Sequence, residues 1–172
     1  GNPRCRSCLL PRSPILKRSM NPPMTEVLGW REWVALPALG IDRIKAKVDT
    51  GARTSCLHAF DVRVDDTQDQ KLVRFSMHPE QRSLDNAVEC VAPLKDEREV
   101  RDSGGHSEMR YVIETDIKIG PQTHRVEFTL TNRDSMGFRM LIGRTALRDR
   151  YLVDPGQSFL VRKRDKARHK KN

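Results

Sequence analysis

From residue 43 to residue 48 the chain alternates strictly, with Ile44, Ala46 and Val48 interleaved by Arg43, Lys45 and Lys47. A period of two is what a strand with one face in a core demands. The same alternation recurs. Val62 and Val64 sit among charged residues, and Val126, Phe128 and Leu130 are separated by Glu127 and Thr129. Leu72-Val73-Arg74-Phe75 predicts another short strand. Tyr111-Val112-Ile113 leads into Ile117 and Ile119 before a Gly120-Pro121 turn. Phe159-Leu160-Val161 is expected to close the series. Trp30 and Trp33 flank the first strand region and read as packing residues. Helix signal is sparse, and residues 145–150 carry the best of it. Residues 76–108 are less regular, with Pro79, Pro93 and a Ser103-Gly104-Gly105-His106 stretch that predicts a mobile hairpin tip. Short strands with frequent turns argue an all-β barrel or sandwich.

Charge divides the 172-residue chain into parts. The formal net charge is +9. Residues 1–23 contribute +5 with no acid, and residues 157–172 contribute +6, which leaves −2 for residues 24–156. The basic excess thus belongs to the ends. The reading is a disordered basic segment over 1–23, a folded domain over 24–161 and a solvated basic tail over 162–172. Met20 or Met24 is the expected natural start. The ends could hold phosphates weakly and without sequence preference, but a dedicated nucleic-acid binder carries its basic stripe on the folded surface. No apolar run approaches the ~18–20 residues of a membrane span. Four cysteines, unevenly spaced, do not form a secreted disulfide framework, and a cytoplasmic location is expected. Cys5 and Cys8 make a C-x-x-C with no second ligand pair nearby.

The chemistry-bearing motif is Asp49-Thr50-Gly51-Ala52, directly after the Ile44 to Val48 strand. A carboxylate at a strand end, followed by a hydroxyl residue and a glycine, builds a tight loop that presents the acid. Later in the chain, Met140-Leu141-Ile142-Gly143-Arg144 is an apolar strand ending in glycine before a short helix.

This pair of motifs resembles the retropepsin branch of the aspartic proteases. The run Lys47-Val48-Asp49-Thr50-Gly51-Ala52-Arg53-Thr54-Ser55-Cys56-Leu57-His58-Ala59 is similar to the signature of a bacterial family called ATP-dependent zinc proteases, the RimB-type retropepsin-like peptidases. Arg110-Tyr111-Val112-Ile113, Glu127-Phe128-Thr129-Leu130-Thr131, residues 140–144 and Val153-Asp154-Pro155 resemble its later blocks, so the likeness covers about residues 24–161. Cys56 departs from the small residue expected there. The resemblance implies a small closed retropepsin-like β-barrel with one short helix near the C-terminal end.

It also implies a mechanism. One carboxylate cannot be acid and base in a single step, whereas two held close share a proton. The ionised member takes a proton from water while the protonated one polarises the scissile carbonyl. With one Asp-Thr-Gly per chain, a two-fold homodimer is expected, with Asp49, Thr50 and Gly51 as the catalytic loop. Thr50 locks the paired loops, and the Gly104-Gly105 hairpin is a flap over the substrate. Ala52, Arg53, Gly104, Gly105, Arg110 and Arg144 are the expected substrate contacts. Retroviral relatives place acids where Arg53 and Thr54 stand, and there those acids pair with the arginine after the late glycine. Arg144 is thus left without an obvious local acid. A cleft made basic by Arg53, Arg110 and Arg144 favours an acidic substrate. The family's association with ATP-grasp glutamate ligases points to glutamate-rich tails and to such a ligase as partner.

No cofactor is expected. There is no His-Glu-x-x-His and no phosphate-binding Gly-x-x-x-x-Gly-Lys-Ser/Thr loop. Cys56 and His58 share a strand face and form the nearest approach to a metal pair, against a plain reading as a buried thiol and a strand-edge histidine. Cys90 is expected in the core. The competing readings are a catalytically silent binding module for acidic peptides or a ligase, a nucleic-acid binder acting through its tails, and a metallopeptidase.

Overall fold

The alternating segments become the walls of one sheet. A computed structural model of the chain describes residues 25–79, 87–101, 104–132 and 137–171. The expectations for residues 1–23, with Cys5 and Cys8, lie outside the described residues. The protein is all-β, and the described residues hold eleven strands: β1 (Glu26–Gly29), β2 (Arg31–Leu36), β3 (Ile41–Val48), β4 (Ser55–His58), β5 (Phe60–Asp65), β6 (Leu72–Met77), β7 (Val88–Arg101), β8 (Ser107–Ile119), β9 (Gln122–Thr131), β10 (Met140–Ile142) and β11 (Tyr151–Asp154). Two helices follow late, α1 (Arg144–Leu147) and α2 (Leu160–Lys171). No helix among the described residues is long and apolar enough to cross a membrane.

Nine strands form a sheet in the order β2-β3-β10-β4-β9-β8-β7-β6-β5, and a further pairing of Ala35 on β2 with Lys118 on β8 closes its first six strands into a ring. The periodic residues of β3, β9 and β10 face inward, whereas Val64 on β5 is exposed. Ile44, Ala46, Phe128, Met140 and Ile142 are wholly buried, and each large apolar side chain so buried contributes roughly 1.5–3 kcal/mol. β5, β6 and β7 extend the sheet beyond β8, and the β7–β8 hairpin continues to the pair Arg101 and Ser107. Gly105 at its tip has φ +83°, a left-handed conformation natural to glycine.

Two expectations are corrected. Leu160 and Val161 do not form a strand, and residues 162–171 are not a loose tail: together they make α2. The reason lies on β2. Glu32 is fully buried, and its carboxylate accepts the backbone N–H of Leu160 at 3.0 Å and of Val161 at 3.1 Å, with Gly29 N–H also donating to it. These are donors that a helix start leaves without intrahelical partners. Arg164 then donates to the Val27 carbonyl on β1 at 2.8 Å. The aromatic residues pack as expected: Trp33 stacks on Phe159 with ring centroids 5.9 Å apart, and the Arg43 guanidinium lies 4.0 Å from the Trp33 centroid.

Candidate active site

β3 ends at Val48 and delivers Asp49 to a half-exposed loop. Gly51 N–H donates to Asp49 Oδ1 at 3.0 Å, and Ala52 N–H donates to the Asp49 carbonyl at 3.3 Å. The aspartate therefore folds its own loop and keeps its second carboxylate oxygen out of this turn. Asp49 N–H in turn donates to Ile142 O at 2.9 Å, which ties the carboxylate's backbone to the late apolar strand.

That strand, β10, runs between β3 and β4. It pairs parallel to β3, Ile142 opposite Val48, and antiparallel to β4, Leu141 opposite Cys56. Beyond it the chain presses on the loop from below. Arg144 N–H donates to Ala52 O at 2.8 Å, Thr145 N–H to Arg53 O at 3.1 Å, and the buried Ser55 Oγ accepts Gly143 N–H at 3.0 Å. A Cβ at Gly143 would stand 2.6 Å from the Thr54 carbonyl carbon. No side chain fits there, so the glycine of the late motif is a steric requirement. Its φ of −91° suits any residue.

The predicted residues separate into four places. Asp49, Thr50, Gly51 and Ala52 share one loop with Arg144, whose Nη1 lies 3.4 Å from Thr50 O and 3.5 Å from Gly51 O. The partner that Arg144 lacks among nearby acids is thus supplied by loop carbonyls. Arg53 is exposed and opens onto a groove of about 730 Å³ that also takes in residues 98–101 of β7. Arg110 sits apart: only 10% of its side chain is exposed, Nε pairs with Glu108 Oε2 at 3.2 Å, and Nη1 lies 3.9 Å from Cys56 Sγ. Gly104 and Gly105 occupy the exposed tip of the β7–β8 hairpin. Ser55 and Glu32 escaped the sequence reading. A serine beginning a strand carries no signal of a partner 88 positions away.

The site fits no resident metal. Among the described residues no three of His, Cys, Asp and Glu gather as metal ligands. Cys56 and His58 are both buried on β4, but the guanidinium of Arg110 beside the thiol opposes a cation.

The model of the RimB-like family, described as retropepsin-like aspartic endopeptidase RimB, matches residues 27–164. The chain belongs to the RimB-like family. The match runs from β1 into α2 and includes the Asp49 loop, β10 and Gly143. Among curated relatives, this RimB-like chain is 47% identical over 135 residues to a probable alpha-L-glutamate ligase of Shewanella pealeana, covering 78% of this chain and 30% of that protein. A probable alpha-L-glutamate ligase of Desulfotalea psychrophila is 42% identical over 130 residues, covering 76% of this chain and 28% of that one. The chain thus spans less than a third of the length of these relatives. A solved Legionella pneumophila protein of unknown function shares the fold, with a TM-score of 0.67 at 23% identity over 79% of this chain and 98% of that one.

Proposed function

We propose that this protein is an aspartic endopeptidase that works as a homodimer in the cytoplasm. The observation that carries the reading is the half-exposed Asp49 carboxylate on a loop braced by β10 and the Gly143 segment that follows it. Asp49 from each of two chains meets at the two-fold axis. The pair shares one proton, since adjacent carboxylates resist double ionisation. The ionised Asp49 accepts a proton from the attacking water, and the protonated one donates to the scissile carbonyl oxygen. Thr50 and Gly51 hold the paired loops, and the Gly104-Gly105 hairpin closes over the peptide and excludes water. Ala52, Arg53 and Arg144 line the approach, Arg110 supports it from behind β4, and acidic or glutamate-tailed chains are the substrates.

The relatives favour a second reading. They are named as probable glutamate ligases, and the matched region is about 30% of their length. On that reading the domain is a catalytically silent module that holds an acidic peptide or an ATP-grasp ligase partner. The test is turnover of glutamate-rich peptides by the wild-type chain and by Asp49→Asn, with sedimentation across micromolar concentrations. Cleavage by a dimer that is lost in Asp49→Asn supports the peptidase. Peptide binding without turnover in both proteins supports the module.

A further inference from the structure

The groove beside Arg53 is built from several separate parts of the fold. Arg53 and Thr54 come from the Asp49 loop, residues 98–101 from β7, Glu114 from β8, Arg125 and Glu127 from β9, and Arg150 from the turn after α1. Among the described residues, five arginines and three glutamates line it. Two of those glutamates are already neutralised. Glu127 pairs with Arg98 at 3.2 Å, and Glu114 is held by Arg125 and by Lys95. The hydrogen bond from Arg125, helped by Lys95, keeps the Glu114 carboxyl below the usual carboxylate range. What remains is Arg53, Arg101 and Arg150, all exposed and without an ion-pair partner among the described residues, against Glu99.

We propose that this groove docks the acidic stretch of a peptide whose backbone lies at the Asp49 loop. The proposal rests on reading that loop as a peptide-binding site. Arg53 and Thr54 stand four and five residues beyond Asp49 on the same loop and line the groove, and Thr145 N–H holds the Arg53 carbonyl, so the groove adjoins that loop. Its other wall includes residues 98–101 of β7. Three uncompensated guanidiniums suit several carboxylates, each able to take two parallel N–H donors. Among the described residues no aromatic side chain lines the groove, so single-stranded nucleic acid would find no stacking platform there. The groove therefore sets specificity away from the bond that reacts.

The experiment measures fluorescence anisotropy of a labelled peptide of eight glutamates, and of its all-glutamine counterpart, on the full chain. It is run on the wild type, on Arg101→Gln/Arg150→Gln, and on Arg63→Gln as a distant β5 control. The expected result is glutamate-peptide affinity at least tenfold weaker in the double variant, unchanged in Arg63→Gln, with no binding of the glutamine peptide. Equal affinity in the double variant, with unchanged circular dichroism, would overturn the proposal and place the contact elsewhere. So would equal binding of the glutamine peptide, or a labelled single-stranded oligonucleotide that binds as tightly and depends on the same two arginines. Since the readout is binding, absence of turnover tests the peptidase reading alone.

Discussion

The carboxylate of Glu32 accepts the backbone N–H of Leu160 from 128 positions along the chain. With Gly29 and Val161 also donating to it, this one buried side chain joins β2, the end of β1 and the start of α2. Glu32→Ala leaves three N–H groups with no acceptor, two of them buried hydrogen bonds in the native protein. The expected loss is about 3 kcal/mol or more, since stranding each buried donor costs ~1–3 kcal/mol. Urea unfolding measures it, and Glu32→Gln, which keeps acceptor oxygen but no charge, should lose clearly less.

Gly143→Ala should be far more damaging than its size suggests. The new methyl group meets backbone at 2.6 Å, and backbone cannot step aside as a side-chain tip can. Overpacking of this kind costs about 1–3 kcal/mol. The shift falls on Thr54, so the Asp49 loop moves with it. Peptide turnover should vanish while the chain still folds, as read by near-UV circular dichroism.

Ser55→Ala tests the same brace through a hydrogen bond. It leaves the Gly143 N–H buried without its acceptor, a loss of about 1–3 kcal/mol. Ser55→Thr, which retains the hydroxyl, should recover part of the stability in thermal melts.

Arg144 acts on the loop by position. Its contacts are to exposed carbonyls, so Arg144→Ala should change stability by no more than about 0.5 kcal/mol. Freed carbonyls let the loop wander, and small misplacements are costly to rate. A peptidase assay should show kcat down about tenfold with KM little changed. An effect confined to KM would assign Arg144 to substrate affinity instead.

His124 gives the fold a pH dependence. Its Nε2 lies 3.0 Å from Gln122 Oε1 and 2.9 Å from the Tyr151 hydroxyl, half-buried beside β11. Burial, and then the charge of Arg150, push its pKa below the ordinary 6.5. The unfolded chain therefore takes up a proton near pH 6.5 that the folded chain still refuses. Stability from this site is complete above pH 6.5 and declines as pH falls below it. Thermal melts from pH 7.5 to 5 should show that decline, flatter in His124→Gln. Equal slopes in both proteins would remove His124 as the cause.

Much of this was legible from periodicity alone. β3, β5, β6, β8 and β9 announce themselves because one face of each is apolar, and β10 does so as a short apolar run. β7 does not, because its outer half carries Lys95, Asp96, Glu97, Arg98 and Glu99 in a row and is mostly solvated on both faces. α2 was hidden for another reason. Its sequence is basic almost throughout, and its start depends on Glu32 and on Phe159, which takes φ +56° to turn the chain. Neither is a local signal. At the site, Asp49 and Gly143 stand out as motif residues, whereas the carbonyl partners of Arg144 and the gathering of Arg101 and Arg150 beside Arg53 exist only once the sheet has closed.

The position of β10 has a consequence for the order in which the molecule can be made. β3 and β4 leave the ribosome early, flanking Asp49, yet they do not pair with each other: the place between them is kept for residues 140–142. Filling it closes a long loop, and such non-local closure is slow because its entropy is spent before its contacts form. Until then Asp49 N–H has no Ile142 carbonyl and Ala52 O has no Arg144 N–H. The acid is synthesised first and becomes rigid last, so a nascent chain that has not yet reached residue 144 carries the residue without its geometry.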